Sequence, residues 1–344
     1  MVSSFANREM VYGFDLLTNR LCEPRRNVKF DVAMALHHQA EAYLEWMTKE
    51  RVPAIPTLSP NDARIWDAKV TALMTKRTQP IDRVEDMRVQ GEDADVPIRI
   101  YAPKTQRPAN LLLYFHGGGW VLGNLDQVDH PCCLLANETG RIVVSVDYRL
   151  APENKFPIPL EDCYTVTKWV TENAHKLGGT KESLAVCGDS AGGNLAAAVC
   201  LVAKDRGGPA IQNQILIYPI TDLLDSSYRD FPNDLSPGLT RDDMVWFITH
   251  YVSKEGDMKN EYAAPILRDN LTGLPSALVI TAEYDILTKQ CNAYADRLRK
   301  AGVQVHSVGY PGLIHGFFTL PDVFDAAEDS MRRIAEELAS STKH

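Results

Sequence analysis

The chain lacks, first of all, any long apolar run. Its opening fifteen residues, MVSSFANREMVYGFD, hold no apolar stretch of the roughly 7 to 15 residues that a secretory signal needs, and no later run reaches the roughly 20 residues of a membrane-spanning helix. A cytoplasmic protein with no membrane partner is the expectation. Positive charge is also short: 36 Lys plus Arg stand against 45 Asp plus Glu, a net charge of −9, which repels phosphate backbones and anionic lipid. Nucleic acid is therefore not an expected partner, and the densest basic run, Arg20 to Lys29, reads as a solvated face. Cysteine is odd in number, seven at positions 22, 132, 133, 163, 187, 200 and 291, with no C-x-x-C spacing. That pattern argues for buried thiols rather than disulfides or zinc. There is no GxxxxGK[ST] and no GxGxxG, so nothing announces a phosphate-cradling loop. No internal repeat or low-complexity tract occurs.

What is present is the composition of an ordinary globular protein, 45% hydrophobic and 24% charged over 344 residues. That length suits two domains, or one large α/β sheet with a lid. Five short apolar runs recur: Leu111 to Phe115, Ile142 to Val146, Leu184 to Val186, Ile215 to Tyr218 and Ala277 to Ile280. They do not alternate with polar residues, so they predict strands covered on both faces, as in a parallel α/β sheet. Helical patterns fill the intervals at Leu160 to Leu177, Leu195 to Ala203 and Lys289 to Lys300. Val84 to Val89 and Val96 to Tyr101 flank a Gly-Glu-Asp-Ala-Asp turn and predict an edge hairpin.

Two segments break this rhythm. Residues 1–80 are mostly helical in pattern, with Val32, Ala35, Leu36, Ala40, Tyr43, Leu44 and Met47 forming a stripe before a break from Pro53 to Pro60. Residues 222–265 lead from a polar stretch into Met244-Val245-Trp246-Phe247-Ile248. Together they could cover one end of the sheet, or simply pack against it.

The stretch CGDSAGGN, residues 187–194, sets Ser190 between Gly188 and Gly192 at a strand-to-helix turn. In an open parallel sheet that is where ligands bind. A turn tight enough to push the serine oxygen upward leaves no room for β-carbons two residues away on either side. G-x-S-x-G arises by accident in roughly one chain of this length in ten. Far rarer is the second glycine motif, His116-Gly117-Gly118-Gly119, after the strand ending at Phe115. Acyl transfer develops an anionic oxygen and needs preorganised donors. The amides of Gly117, Gly118 and Ala191 are the candidates.

A serine hydroxyl needs a base, and the base an acid to fix its tautomer. In the α/β-hydrolases, whose nucleophile this glycine-flanked serine resembles, the acid and then the histidine follow the serine along the chain. His250, His306, His315 and His344 lie downstream. His306 alternates within the strand-like Val303 to Val308, His344 is terminal and His250 belongs to a helical stripe, whereas His315 follows the last strand on a loop. Asp285 comes just after the strand Ala277 to Thr281 and is the candidate acid, with Glu283 and Asp222 as alternatives.

The chain resembles the hormone-sensitive-lipase-like branch of the α/β-hydrolases, a group of carboxylesterases, from about Val84 onward. VPIRIYAP (96–103), YFHGGGWVLGNLD (114–126), VDYRLAPENKFP (146–157), CGDSAGGN (187–194), ILIYP (215–219), ITAEYDIL (280–287) and IHGF (314–317) carry the resemblance. It implies an α/β-hydrolase fold, a mostly parallel sheet with helices on both faces and a helical cap. Residues 81–221 and 266–344 would form the catalytic domain, residues 1–80 the N-terminal part of the cap and residues 222–265 the cap insertion. It implies Ser190 as nucleophile, His315 as base, Asp285 as acid and HGGG as the oxyanion loop, with Asp147, Tyr148, Arg149 and Glu153 as scaffold. Ile286 departs from the family's usual Pro after the acid, and Thr288-Lys289-Gln290 from its acidic residues.

The expected activity is hydrolysis of short- to medium-chain acyl esters through an acyl-enzyme, with a small-molecule ester as partner and neither metal nor cofactor. An amidase or formamidase with the same triad is the alternative. A ligand receptor on a hydrolase scaffold is more remote, because such receptors lack the triad histidine and His315 is present. Oligomeric state, homodimer or otherwise, leaves no mark on these residues.

Overall fold

The computed structural model describes residues 36–75, 80–105, 108–224 and 236–340. Cys22, His344, the basic run at 20–29, and residues 225–235 of the insertion lie outside that range, as do Val32 and Ala35 of the N-terminal stripe. The elements are α1 (His38–Lys49), α2 (Pro60–Met74), β1 (Arg83–Val89), β2 (Val96–Ala102), β3 (Ala109–Phe115), α3 (Asp129–Thr139), β4 (Ile142–Val146), α4 (Ile158–Glu172), α5 (Ala174–Leu177), β5 (Gly179–Asp189), α6 (Ala191–Asp205), β6 (Asn213–Ile217), α7 (Arg241–Tyr251), β7 (Ser276–Tyr284), α8 (Thr288–Lys300), β8 (Val305–Ile314) and α9 (Asp325–Ser340).

The strands form one sheet in the order β1-β2-β4-β3-β5-β6-β7-β8. The β1–β2 hairpin sits at one edge; β1–β2 and β2–β4 are antiparallel, and every later pair is parallel. The run Leu111 to Phe115 shows why the strands are apolar throughout. Leu111, Leu113 and Phe115 point into a core shared with α4, α6 and α8, while Leu112 and Tyr114 point into a second core shared with α1, α3 and α9. Both faces are covered, so no position along the strand can be polar without a partner. The fold is the mostly parallel α/β-hydrolase sheet with helices on both faces.

Two helices escaped the sequence reading. Buried side chains run along α3 from His130 to Ala136, so it offers no amphipathic contrast. The helix α9 does carry a stripe, Ala327, Met331, Ile334 and Leu338, which periodicity could have found. The last strand is also longer than Val303 to Val308 suggested, continuing to Ile314 through an irregularity between its pairings with Ala282 and Tyr284.

The six cysteines within the described residues are buried free thiols. Among those residues no helix is long and apolar enough to cross a membrane.

Candidate active site

Glycines 188 and 192 answer to backbone, not to side chains. A β-carbon on Gly188 would fall 2.2 Å from the Gly192 carbonyl oxygen, and one on Gly192 would fall 1.9 Å from the Phe115 carbonyl oxygen. The turn from β5 into α6 therefore presses directly on the end of β3. Ser190, between them, has φ 55° and ψ −117°, a conformation that costs an L-residue about 1–3 kcal/mol. Three backbone hydrogen bonds hold it there: Ser190 N–H donates to Ile217 O at 2.9 Å, and its carbonyl accepts from Asn194 at 3.0 Å and Ile220 at 3.2 Å. The Asn194 side chain in turn donates to Ile220 O and Ala263 O, both at 2.9 Å, and so fixes the exit of β6 against the end of the insertion.

Three residues from three strand ends meet at the serine. His315 Nε2 lies 2.9 Å from Ser190 Oγ, and His315 Nδ1 lies 2.7 Å from Asp285 Oδ2. The register explains the second contact: Tyr284 pairs with Ile314, so the next residue on each strand is Asp285 on one side and His315 on the other. Asp285 is fully buried at its side chain and His315 nearly so, with Asp285 Oδ1 accepting from Leu287 N–H at 2.9 Å. The imidazole also packs on the Tyr218 ring, 4.5 Å between centroids.

The alternative acids and bases sit elsewhere. Glu283 accepts from the Gly312 amide at 2.7 Å and so pins the irregular part of β8. Asp222 Oδ1 accepts from Leu224 N–H at 2.8 Å. Among the other histidines, His306 Nδ1 lies 2.5 Å from Glu337 Oε2, and His250 Nδ1 lies 2.8 Å from the Trp246 carbonyl.

The departure after the acid has a physical counterpart. Ile286 N–H donates to the buried Ser236 hydroxyl at 3.1 Å, a bond that a proline at 286 could not make. Gln290 Oε1 accepts from the amides of Thr221 and Asp222, at 2.5 and 2.9 Å. The acid loop is thus tied to the exit of β6 and to the insertion.

The glycine loop after β3 differs from the expectation at its first glycine. Gly117 N–H donates to Asp189 Oδ1 at 2.9 Å, where the Tyr114 hydroxyl also donates at 2.5 Å. A carboxylate buried at the end of β5 needs such donors, and burial still raises the Asp189 pKa. Gly117 is therefore not free to receive an oxyanion. The amides of Gly118, Gly119 and Ala191 donate to no group among the described residues. Gly119, which the sequence reading passed over, has the uncommitted amide that was expected at Gly117. His116 stacks on Tyr148 at 4.3 Å, and its Nδ1 lies 2.8 Å from Gly117 O. Burial lowers its pKa to about 4, so the imidazole is neutral at pH 7 and Nδ1 carries the hydrogen given to that carbonyl. The scaffold residues hold ion pairs and hydrogen bonds beneath the site. The Tyr148 hydroxyl donates to His116 O, Arg149 pairs with Asp162, and Glu153 pairs with Arg64 of α2.

Behind the loop lies a polar cavity of about 100 Å³, lined in part by Asp67 and Thr71 of α2, His116, Gln127 and Asp189. Gln127 donates to Asp67 Oδ2 at 2.7 Å, but burial outweighs that bond and raises the Asp67 pKa to about 6. A raised carboxyl pKa means that the folded chain holds this proton between about pH 4 and 6 while the unfolded chain releases it. Stability from this group is therefore lost as pH rises across that window. Asp67→Asn keeps an acceptor for Gln127 and removes the half-buried charge. The variant should gain about 1–3 kcal/mol over the wild type at pH 8 and nothing at pH 4, as read by urea unfolding at the two pH values.

The family model for the alpha/beta hydrolase fold matches residues 112–319. An arylesterase of Saccharolobus solfataricus is 38% identical over 259 residues, covering 74% of this chain and 83% of that protein. An ethyl acetate hydrolase of Pseudomonas putida is 33% identical over 316 residues, covering 89% and 99% respectively. The solved structure of a hyperthermophilic esterase from the archaeon Pyrobaculum calidifontis superposes with a TM-score of 0.85 at 39% identity, over 90% of this chain and 99% of that one. The chain belongs to the α/β-hydrolase family, in its hormone-sensitive-lipase-like branch.

Proposed function

We propose that the chain is a serine carboxylesterase acting on short- to medium-chain acyl esters, with Ser190 as nucleophile, His315 as general base and Asp285 as its orienting acid. The observation that carries this reading is the continuous hydrogen-bonded line from Ser190 Oγ through the imidazole to Asp285, at 2.9 and 2.7 Å. Ser190 Oγ attacks the ester carbonyl while His315 Nε2 takes its proton, and Asp285 stabilises the imidazolium. The carbonyl oxygen becomes an oxyanion held by the Gly118, Gly119 and Ala191 amides, each worth about 10² to 10³ in rate. Collapse of that intermediate expels the alcohol, protonated by His315, and leaves Ser190 acylated. Water then repeats the sequence and releases the carboxylic acid. The esterase and ethyl acetate hydrolase names of the relatives support ester hydrolysis as the reaction.

A groove of about 590 Å³, lined by Tyr43, Leu44, Met47 and Val52 with Glu45, Thr48 and Lys49 of the N-terminal segment and by Pro237 and Gly238, is the candidate acyl site in this proposal. A β-carbon on Gly238 would fall 3.0 Å from the His315 carbonyl oxygen, so one wall of the groove lies against the backbone of the proposed base. The same proposal assigns residues 1–80 and 222–265 to a cap over a catalytic domain of residues 81–221 and 266–344, in a cytoplasmic enzyme. Contacts across these segments support the cap. His37 N–H donates to Gly312 O at 2.8 Å, and Arg64 Nε donates to Val121 O at 2.8 Å. A series of chromogenic esters from acetyl to palmitoyl, with matched amides, tests the reading. Acetyl to octanoyl esters should be turned over fastest and palmitoyl esters poorly; preference for palmitoyl esters or for amides would overturn it.

A further inference from the structure

We infer that the insertion helix α7 is a clamp that positions the oxyanion loop, acting through Phe247 on Gly119 and Tyr251 on Trp120. The inference rests on the proposed function, because it assigns the work of holding the donors of that reaction to side chains far from the triad in sequence.

The loop has reason to need holding. Gly118, Gly119 and Trp120 follow one another with φ of 98°, 58° and 62°. Glycine tolerates such angles, but Trp120 does not prefer them. Two bonds close the loop on its own backbone, from the Val121 and Leu122 amides to Gly118 O at 3.0 and 2.8 Å. Both end on the carbonyl of the Gly118–Gly119 peptide and so orient the Gly119 amide, but among the described residues the next peptide has no backbone bond at either Gly119 O or Trp120 N–H.

Contacts from α7 act on the unbonded part of the loop, at the Gly119 Cα and the Trp120 side chain. A β-carbon on Gly119 would fall 2.1 Å from Cδ1 of Phe247, so the bare glycine lies flat against that ring. One helical turn onward, Tyr251 stacks on Trp120 with centroids 4.0 Å apart and planes 3° from parallel. Trp120 and Tyr251 are fully buried and Phe247 is nearly so. Tyr251 is itself braced, by an edge contact with Phe156 at 5.8 Å and by Phe156 N–H donating to the Tyr251 carbonyl at 2.9 Å. The Trp120 carbonyl accepts from Ala151 at 2.9 Å, which anchors the loop's far side to the scaffold. Aromatic rings with few rotatable bonds are suited to holding a strained turn, because little of their own freedom is lost in doing so.

If the clamp only buried apolar surface, its loss would lower stability and leave the chemistry of the folded enzyme intact. If it formed a substrate wall, its loss would raise KM. A device that preorganises donors for the transition state lowers kcat instead. The experiment compares Phe247→Ala, Phe247→Leu, Tyr251→Leu and Tyr251→Phe with wild type on one short-chain ester, together with inhibition by a trifluoromethyl ketone of matched acyl length. That inhibitor adds to the serine and places an oxyanion in the same donors. Variants are compared below their unfolding temperatures, with Tm measured for each, and Val245→Ala, on the exposed side of the same helix, serves as the control.

Phe247→Ala and Tyr251→Leu should each lose at least tenfold in kcat with KM changed less than twofold, and ketone affinity should weaken in proportion to kcat/KM. Phe247→Leu, which fills more of the space over Gly119, should lose less than Phe247→Ala, and Tyr251→Phe, which keeps the stacked ring, should recover most of the Tyr251→Leu loss. Unchanged kcat in folded Phe247→Leu and Tyr251→Leu, or a rise in KM alone, would overturn the clamp. Ser190→Ala, assayed alongside, separates the two readings: retained activity there would mean that the proposed nucleophile is wrong, whatever α7 does.

Discussion

Ser190→Ala should lower kcat for ester hydrolysis by about 10⁶-fold, the loss seen when a triad nucleophile is removed, while leaving the fold and its melting temperature nearly unchanged. The substitution deletes one oxygen. The strained φ of 55° is imposed by contacts of the peptide, with Ile217, Asn194 and Ile220, and these do not involve the side chain. Alanine meets the same backbone cost and keeps the same β-carbon. What disappears is the atom 2.9 Å from His315 Nε2 and with it the covalent route. The residual rate would come from the donors and from binding alone.

Asp285→Asn should cost about 10⁴-fold in kcat, and the reason lies in which way the amide must face. One oxygen of Asp285 accepts from Leu287 N–H at 2.9 Å and the other contacts His315 Nδ1 at 2.7 Å. Leu287 can only donate, so the asparagine oxygen turns toward it and the NH₂ turns toward the imidazole. Nδ1 must then accept, the proton moves to Nε2, and Nε2 faces Ser190 as a donor unable to take its hydrogen. A carboxylate has no such choice. Glu283→Gln provides the contrast, since Glu283 holds the Gly312 amide instead of the histidine, and its activity should stay within about threefold of wild type. Steady-state kinetics on purified, folded variants decides both.

The sequence was most legible where the chemistry is local. Gly188, Ser190 and Gly192 lie within five residues, and the reason for the glycines, a backbone pressed on the end of β3, follows from the tightness of one turn. Apolar runs located β3, β4, β6 and β7 because a strand covered on both faces has no polar position. The site was less legible wherever a distant partner decides. Gly117 looked like a donor because its motif is glycine-rich, yet its amide is taken by Asp189, seventy-two residues away. Choosing Asp285 over Glu283 depends on the register of β7 with β8, where the irregularity after Ala282 sets Asp285 beside His315 and leaves Glu283 to brace Gly312. No pattern in the chain encodes that offset. The link from Ser236 to the Ile286 amide could not be read either, since only the folded chain brings the insertion to the acid loop.

The central claim is that the Ser190 hydroxyl becomes acylated during turnover. The most direct test is rapid acid quench of the enzyme with excess p-nitrophenyl acetate, followed by mass analysis of the digested chain. The account predicts acetyl on the peptide carrying Ser190, and with diethyl p-nitrophenyl phosphate, whose adduct is not hydrolysed in turnover, one diethylphosphoryl group per chain on the same serine. Either group on another residue, or full inactivation with Ser190 unmodified, would contradict it.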